Sequence, residues 1–230
     1  TCSGARRSAT WQSAEASRVR AHNLTASGYD TRFDFLANTP EMAKLRAQYG
    51  IANDLSSPEA QAAMAGRALM SGISRVAAYV ANTETLDTHY QTWATNQGAV
   101  QERGFNTVAR LIEDLQATEY KGTGTSWLDH TTIIGFSEFS RTALLNDSTG
   151  RDHALTAACF LAGGGIKGGT VVGASSDVGM TPQPVNLTTG ALDPGGEIPR
   201  PEHIWQALFE EVGIGAEADL RVAPLKAILK

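Results

Sequence analysis

From about residue 40 onward, apolar and polar positions alternate in blocks that predict helices and strands in turn. Thr39-Pro40-Glu41 is a helix start, and Met42, Leu45 and Tyr49 recur at helical spacing before Gly50 stops the run. Ser57-Pro58-Glu59 opens a second helix with Pro at its first position, and Ala63, Met64, Ala68 and Leu69 carry it to Gly72. Arg75 to Val80 then reads as a strand. After a polar loop, Asn82 to His89, a long amphipathic helix is expected over Val100 to Glu119, with Phe105, Val108, Leu111, Ile112 and Leu115 on its apolar face. Lys121 to Thr125 supplies turn chemistry. Two short apolar runs, Thr131–Phe136 and Ala157–Ala162, predict strands, and Thr170–Gly173 a further one. Residues 174–198 are loop-like. Pro201 begins the last helix, with Ile204, Trp205, Leu208 and Val212 on one face and Gly213-Ile214-Gly215 closing it.

Helix and strand in alternation predict an α/β layered domain with a mostly parallel sheet. The stretch Thr131–Gly169 organises the rest, because both of its strands end in polar or glycine-rich sequence. Open parallel sheets present ligands at that edge.

Residues 1–40 are polar and rich in Ala, Ser and Arg, with a thin helical stripe over Ser13–Val19. They are read as an irregular arm or a remnant of an upstream region, and 41–230 as the α/β part. The chain opens Thr1-Cys2-Ser3, which suggests a fragment or a processed form. Arg6-Arg7 is not a twin-arginine export signal, since no apolar stretch follows it.

At 230 residues and 42% hydrophobic, the chain can bury a core. A net charge of −5 argues against a general nucleic-acid binder. No run approaches the ~18 apolar residues of a membrane span. Cys2 and Cys159 make no disulfide framework, and Cys159 reads as a small core residue.

The chemistry lies in four places. Asp87 and His89 stand two apart in an extended segment and so share a side, which suits two ligands of one divalent ion, or else a solvated loop pair. Glu138 follows a strand end, where it is a metal ligand, a base, or the salt-bridge partner of Arg141. Arg141 carries the fork that matches phosphate or sulfate oxygens, and equally a partner for Glu138 or Asp152. In Asp152-His153, neighbouring side chains diverge, so one is expected to bind an ion (His153 the stronger candidate) and the other to support it. Gly163 to Gly169 is a tight turn between strands rather than a phosphate loop, because Gly168 follows Lys167 where Ser or Thr is required. Lys167 is left as an anion-binding candidate. His130 and His203 are read as structural.

In this order, LDTH, SEFSRT, GRDH and LAGGGIKGG resemble the W-D-T-H, E-F-G-R-T, G-R-D-H and G-G-G-I-x-G-G elements of domain-of-unknown-function family 1501. The resemblance covers roughly Tyr49 to Ile214. That family looks like a branch of the alkaline phosphatase and sulfatase superfamily and is typically exported. The resemblance implies an alkaline-phosphatase-like three-layer sandwich with a mostly parallel central sheet, of which this chain looks like the C-terminal half. It implies a divalent ion (zinc, manganese or calcium) held by Asp87, His89, Glu138 and His153, with Asp152 beside them. Relatives often have Asp-His where this chain has Glu138-Phe139, and Ser140 stands in place of a Gly. The implied function is metal-dependent hydrolysis of phosphate or sulfate esters, with an anionic small-molecule or glycan ester as substrate and Arg141 or Lys167 offsetting its charge. The nucleophile is not identified. The alternative is a non-catalytic exported protein, periplasmic or extracellular, that binds or assembles with the missing N-terminal half or another exported protein.

Overall fold

The structure is a computed structural model that describes residues 8–26, 28–82, 84–177, 179–215 and 220–230, without the side chains at 24 and 25. Cys2 and the Arg6-Arg7 pair lie outside the described residues. The chain divides into two compact units: residues 1–83 with 106–111, and residues 84–105 with 112–230.

In the first unit, helix α1 (Ala9–Ala26) is longer than the predicted Ser13–Val19 and exposes nearly all of its length, as its thin apolar stripe requires. A short helix α2 (Tyr29–Phe33) follows Gly28. Helices α3 (Pro40–Tyr49) and α4 (Pro58–Met70) start where their caps predict. Thr39 Oγ1 accepts from Met42 N at 3.2 Å and Ser57 Oγ from Ala60 N at 3.2 Å, each satisfying a donor that the first helical turn leaves open. Gly50 ends α3 at φ 73°, a left-handed conformation that glycine adopts without strain. Met42, Leu45 and Tyr49 are buried, and α4 turns Ala60, Ala62, Ala63 and Ala65 inward. Small side chains let the two helices approach closely. At Gly66 an added Cβ would sit 3.0 Å from Leu111 Cδ1 and 3.1 Å from the Tyr49 hydroxyl.

Arg75–Val80, predicted as a strand, pairs with no strand among the described residues. The segment is irregular, Val76 and Val80 are exposed, and the Val80 amide donates to the Gln61 side chain at 3.2 Å. Its branched residues suit a pleated surface, but β preference is realised only against a neighbouring strand.

In the second unit, helix α5 (Trp93–Ala117) begins earlier than predicted, and its stretch 106–111 belongs to the first unit. Val100 and Leu115 are buried, whereas Phe105 is exposed. Strand β1 (Thr132–Gly135) pairs antiparallel with β4 (Phe160–Gly163), from Thr132 opposite Gly163 to Gly135 opposite Phe160. Between them in sequence, β2 (Ser140–Arg141) pairs antiparallel with β3 (His153–Ala154).

These two small sheets overturn the expected fold class. A mostly parallel central sheet in an alkaline-phosphatase-like three-layer sandwich is not what the described residues form. Parallel pairing needs a long crossover, usually a helix, between the partners. Here the chain from Phe136 to Cys159 holds turns and the β2–β3 pair instead, and it returns β4 against β1 head to tail. Parallel strands are also covered on both faces, while β1 is only partly buried. Gly135 lets the Phe160 ring lie across the pair, where a Cβ would collide with it.

The three glycines that end β4 and follow it do form a tight turn, with Gly163 at φ 101° and the Gly164 amide between the Leu128 and Thr131 carbonyls at 2.9 Å each. The turn does not lead to another strand. Ile166 bridges to Leu229, and Thr170–Gly173 stays irregular. Helix α6 (Pro201–Glu211) packs Ile204 and Ala207 against Leu225, Ala227 and Ile228, with Ile134, Cys159 and Leu161 at the margin. His203 is fully buried, its Nδ1 2.9 Å from the Ala223 carbonyl, which fits its structural reading. Of the face predicted for this helix, Val212 lies beyond its end and is exposed.

Candidate functional site

In the loop after residue 84, which bends at His89, alternate side chains part. Thr88 is only 2% exposed, while Asp87 and His89 share the open side. The Asp87 carboxylate accepts from the His89 backbone N–H at 3.2 Å and pairs with His89 Nδ1 through the same oxygen. A carboxylate only accepts, so Nδ1 is the donor of this pair.

The β2–β3 ladder brings the next two groups. Arg141 and His153 are opposite one another in register. Arg141 Nη1 lies 3.3 Å from His89 Nδ1 and 3.7 Å from Asp87 Oδ1, and donates to the Arg151 carbonyl at 3.3 Å. The His153 ring sits 4.8 Å from the His89 ring, tilted by 54°. The same ring stacks on Phe139 at 3.8 Å and 22°. Phe139 also carries the Arg141 guanidinium 5.1 Å from its ring centre. The residue noted as a departure from relatives is therefore the platform on which an imidazole and a guanidinium rest.

The Asp87 carboxyl is held below the usual carboxylate range. The side-chain hydrogen bond to His89 is the main cause, followed by the His89 amide, with smaller contributions from the charges of His89 and Arg141. One carboxylate, one guanidinium and two imidazoles thus stand together, drawn from three separate segments. Such a group can bind an anion at Arg141 and present imidazole nitrogens beside it.

A scaffold that the sequence did not disclose keeps these segments together. Arg151, within the GRDH element, donates through Nη1 to the Thr142 and Ala143 carbonyls at 2.8 and 2.6 Å. Its amide donates to the Thr88 carbonyl at 2.6 Å, and its guanidinium lies 4.4 Å from the centre of a Trp93 ring. Asn146 Nδ2 donates to the His89 carbonyl at 3.1 Å and to Asp152 Oδ1 at 2.8 Å. Gly150 passes so close to the His89 carbonyl that a Cβ would collide with it. Arg and Gly in the motif are the only hints that sequence gave of this role.

Three predicted residues stand apart. Glu138 is exposed, with Ser137 Oγ donating to its carboxylate at 3.4 Å. Asp152 faces Asn146 rather than the imidazoles. The Lys167 side chain is exposed, and its amide donates to the Ile228 carbonyl at 2.8 Å. The donor types at Asp87, His89 and His153 fit a divalent ion. Among the described residues, however, no group of three His, Cys, Asp or Glu side chains is arranged to hold one.

A family profile described as "Protein of unknown function (DUF1501)" matches residues 7–191. Neither the curated proteins nor the solved structures contain a match to the chain.

Proposed function

The chain belongs to the DUF1501 family, and from that premise we propose that it is a metal-dependent hydrolase of phosphate or sulfate esters. The observation that carries this reading is the convergence of Asp87, His89, Arg141 and His153 on one exposed spot.

Arg141 binds the anionic oxygens of the ester, its guanidinium held by the Phe139 face and the Arg151 carbonyl. Asp87 accepts from Nδ1 of His89 and so fixes the orientation of the ring. Phe139 stacks on one face of His153 and steadies its orientation. His89 and His153 are the residues that would hold a divalent ion, with Asp87 behind the first. When bound, the ion supplies Lewis-acid polarisation of the ester. The substrate is an anionic small molecule or glycan ester. Export to the periplasm or beyond follows from the motif resemblance, and fractionation of a bacterial host that expresses the full-length protein tests it.

Elemental analysis of the purified full-length protein should find close to one equivalent of a divalent metal or more. Phosphatase and sulfatase assays should find activity that His153→Ala lowers by about 100-fold or more. A protein that keeps its metal and cleaves neither ester class sinks the enzyme reading. The second reading, a non-catalytic exported binding or assembly protein, would then stand. It draws support from Leu155 and Val171, large apolar side chains left almost wholly in solvent.

A further inference from the structure

Beside His153 the surface opens into a groove of about 490 Å³, lined by Thr142–Leu144, His153–Thr156, Asp177 and Gly179–Pro182. That volume is in the range of small-molecule sites. Its walls are mostly apolar: Ala143, Leu144, Ala154, Leu155, Met180 and Pro182. Of the three wall hydroxyls, at Thr142, Thr156 and Thr181, the first two are already engaged. Thr142 Oγ1 donates to the Leu144 carbonyl at 2.9 Å and accepts from the Asp152 amide at 3.1 Å, and Thr156 Oγ1 donates to the Met180 carbonyl. Neither proton is left for a bound group. Beyond His153, the one ionisable side chain on the described walls is Asp177, which is exposed and acidic. Leu144 and Leu155 stand at the groove in solvent, the arrangement expected where a ligand covers apolar side chains.

The geometry points to a leaving-group subsite: the groove takes the apolar, uncharged part of the ester and, through Asp177, turns away substrates that carry a second anionic group there. This rests on the hydrolase reading for what sits at Arg141 and His153, and it deepens that reading by naming the substrate class. Two charge environments lie side by side. The cluster offers a guanidinium to one anionic group, and the groove next to it offers hydrocarbon and a negative charge. A monoester with an aryl or alkyl leaving group matches both, whereas a phosphorylated sugar or nucleotide with further phosphates matches only the first.

The test uses the full chain and two probes that differ by one charge, naphthalene monosulfonate and naphthalene disulfonate, titrated at low salt with binding read from methyl chemical shifts. The monosulfonate should bind at least about tenfold more tightly and move the signals of Ala143, Ala154, Leu155 and Met180. Asp177→Asn should narrow that ratio several-fold. Leu155→Asp, at a position too exposed to endanger folding, should weaken monosulfonate binding by roughly tenfold. Equal binding of the two probes, or shifts that leave the groove methyls unmoved, overturns the inference. Ester assays keep the two readings apart. Probe binding in the groove without ester cleavage removes the hydrolase and leaves the apolar subsite. Cleavage of a polyphosphorylated ester as fast as of an aryl monoester keeps the hydrolase and removes the subsite.

Discussion

The Asp87 carboxylate takes two hydrogen bonds from a single residue, His89, and has Arg141 within 3.7 Å. Each of these interactions favours its ionised form, so its folded pKa lies below the unfolded value near ~3.9. A depressed carboxyl contributes stability that is fully present above the unfolded pKa and is lost as pH falls through the folded one. Urea unfolding at a series of pH values should therefore show Asp87→Asn losing less stability than the parent protein on acidification below about pH 4. The difference between the two should be constant at neutral pH. Curves that run parallel into acid would show that His89 does not hold this carboxyl. The Asp87–His89 pair was readable in the sequence because a two-residue period needs no tertiary information. The role of Phe139 was not, since stacking on His153 depends on a register between strands that no local pattern states.

At the scale of elements, the β2–β3 pair is too short to hold its own register, and Arg151 supplies what the ladder lacks. A single guanidinium nitrogen, Nη1, ties the Thr142 and Ala143 carbonyls, and the Arg151 amide ties the Thr88 carbonyl. Arg151→Gln should lower unfolding stability by about 1–3 kcal/mol through the carbonyls left unpaired. Arg151→Lys should recover only part of this, because an ammonium cannot reproduce the flat packing of the guanidinium on Trp93. Full recovery by lysine in thermal denaturation would reduce Arg151 to a point charge. Helix starts were legible at this scale because Thr39-Pro40 and Ser57-Pro58 are local chemistry. Strand positions at Thr132–Gly135 and Phe160–Gly163 were legible too, but their mutual direction was not. Apolar runs mark where a strand lies and are silent on what pairs with it. That gap turned two correct strands into a parallel sheet that does not exist. It also turned Arg75–Val80 and Thr170–Gly173, which pair with no strand among the described residues, into strands.

At the scale of the molecule, the second unit draws its core from α6 and the last residues of the described chain. Leu225, Ala227 and Ile228 are all buried against Ile204 and Ala207. Ile228→Ala should cost about 2–4 kcal/mol, the range for truncating a large aliphatic side chain in a core that cannot collapse around the gap. Measured by denaturant titration, a loss under about 1 kcal/mol would place Ile228 outside the cooperative core. The helix itself was legible from its apolar spacing. The tail was not, because Leu225 and the short run Ala227–Leu229, split by Lys226, have no period to read, and only the packed helix reveals what they cover.

The site's three segments also set a schedule for its birth. Thr88 bonds to a residue 63 positions later and Arg141 to one 52 positions earlier. A chain emerging at about 5–20 residues per second exposes Asp87 and His89 several seconds before Arg151 and His153 exist to meet them. Closing loops of that length also costs entropy that local helices do not face. A nascent chain therefore displays a lone acid–imidazole pair for seconds, and the assembled cluster arrives only after translation has passed residue 153.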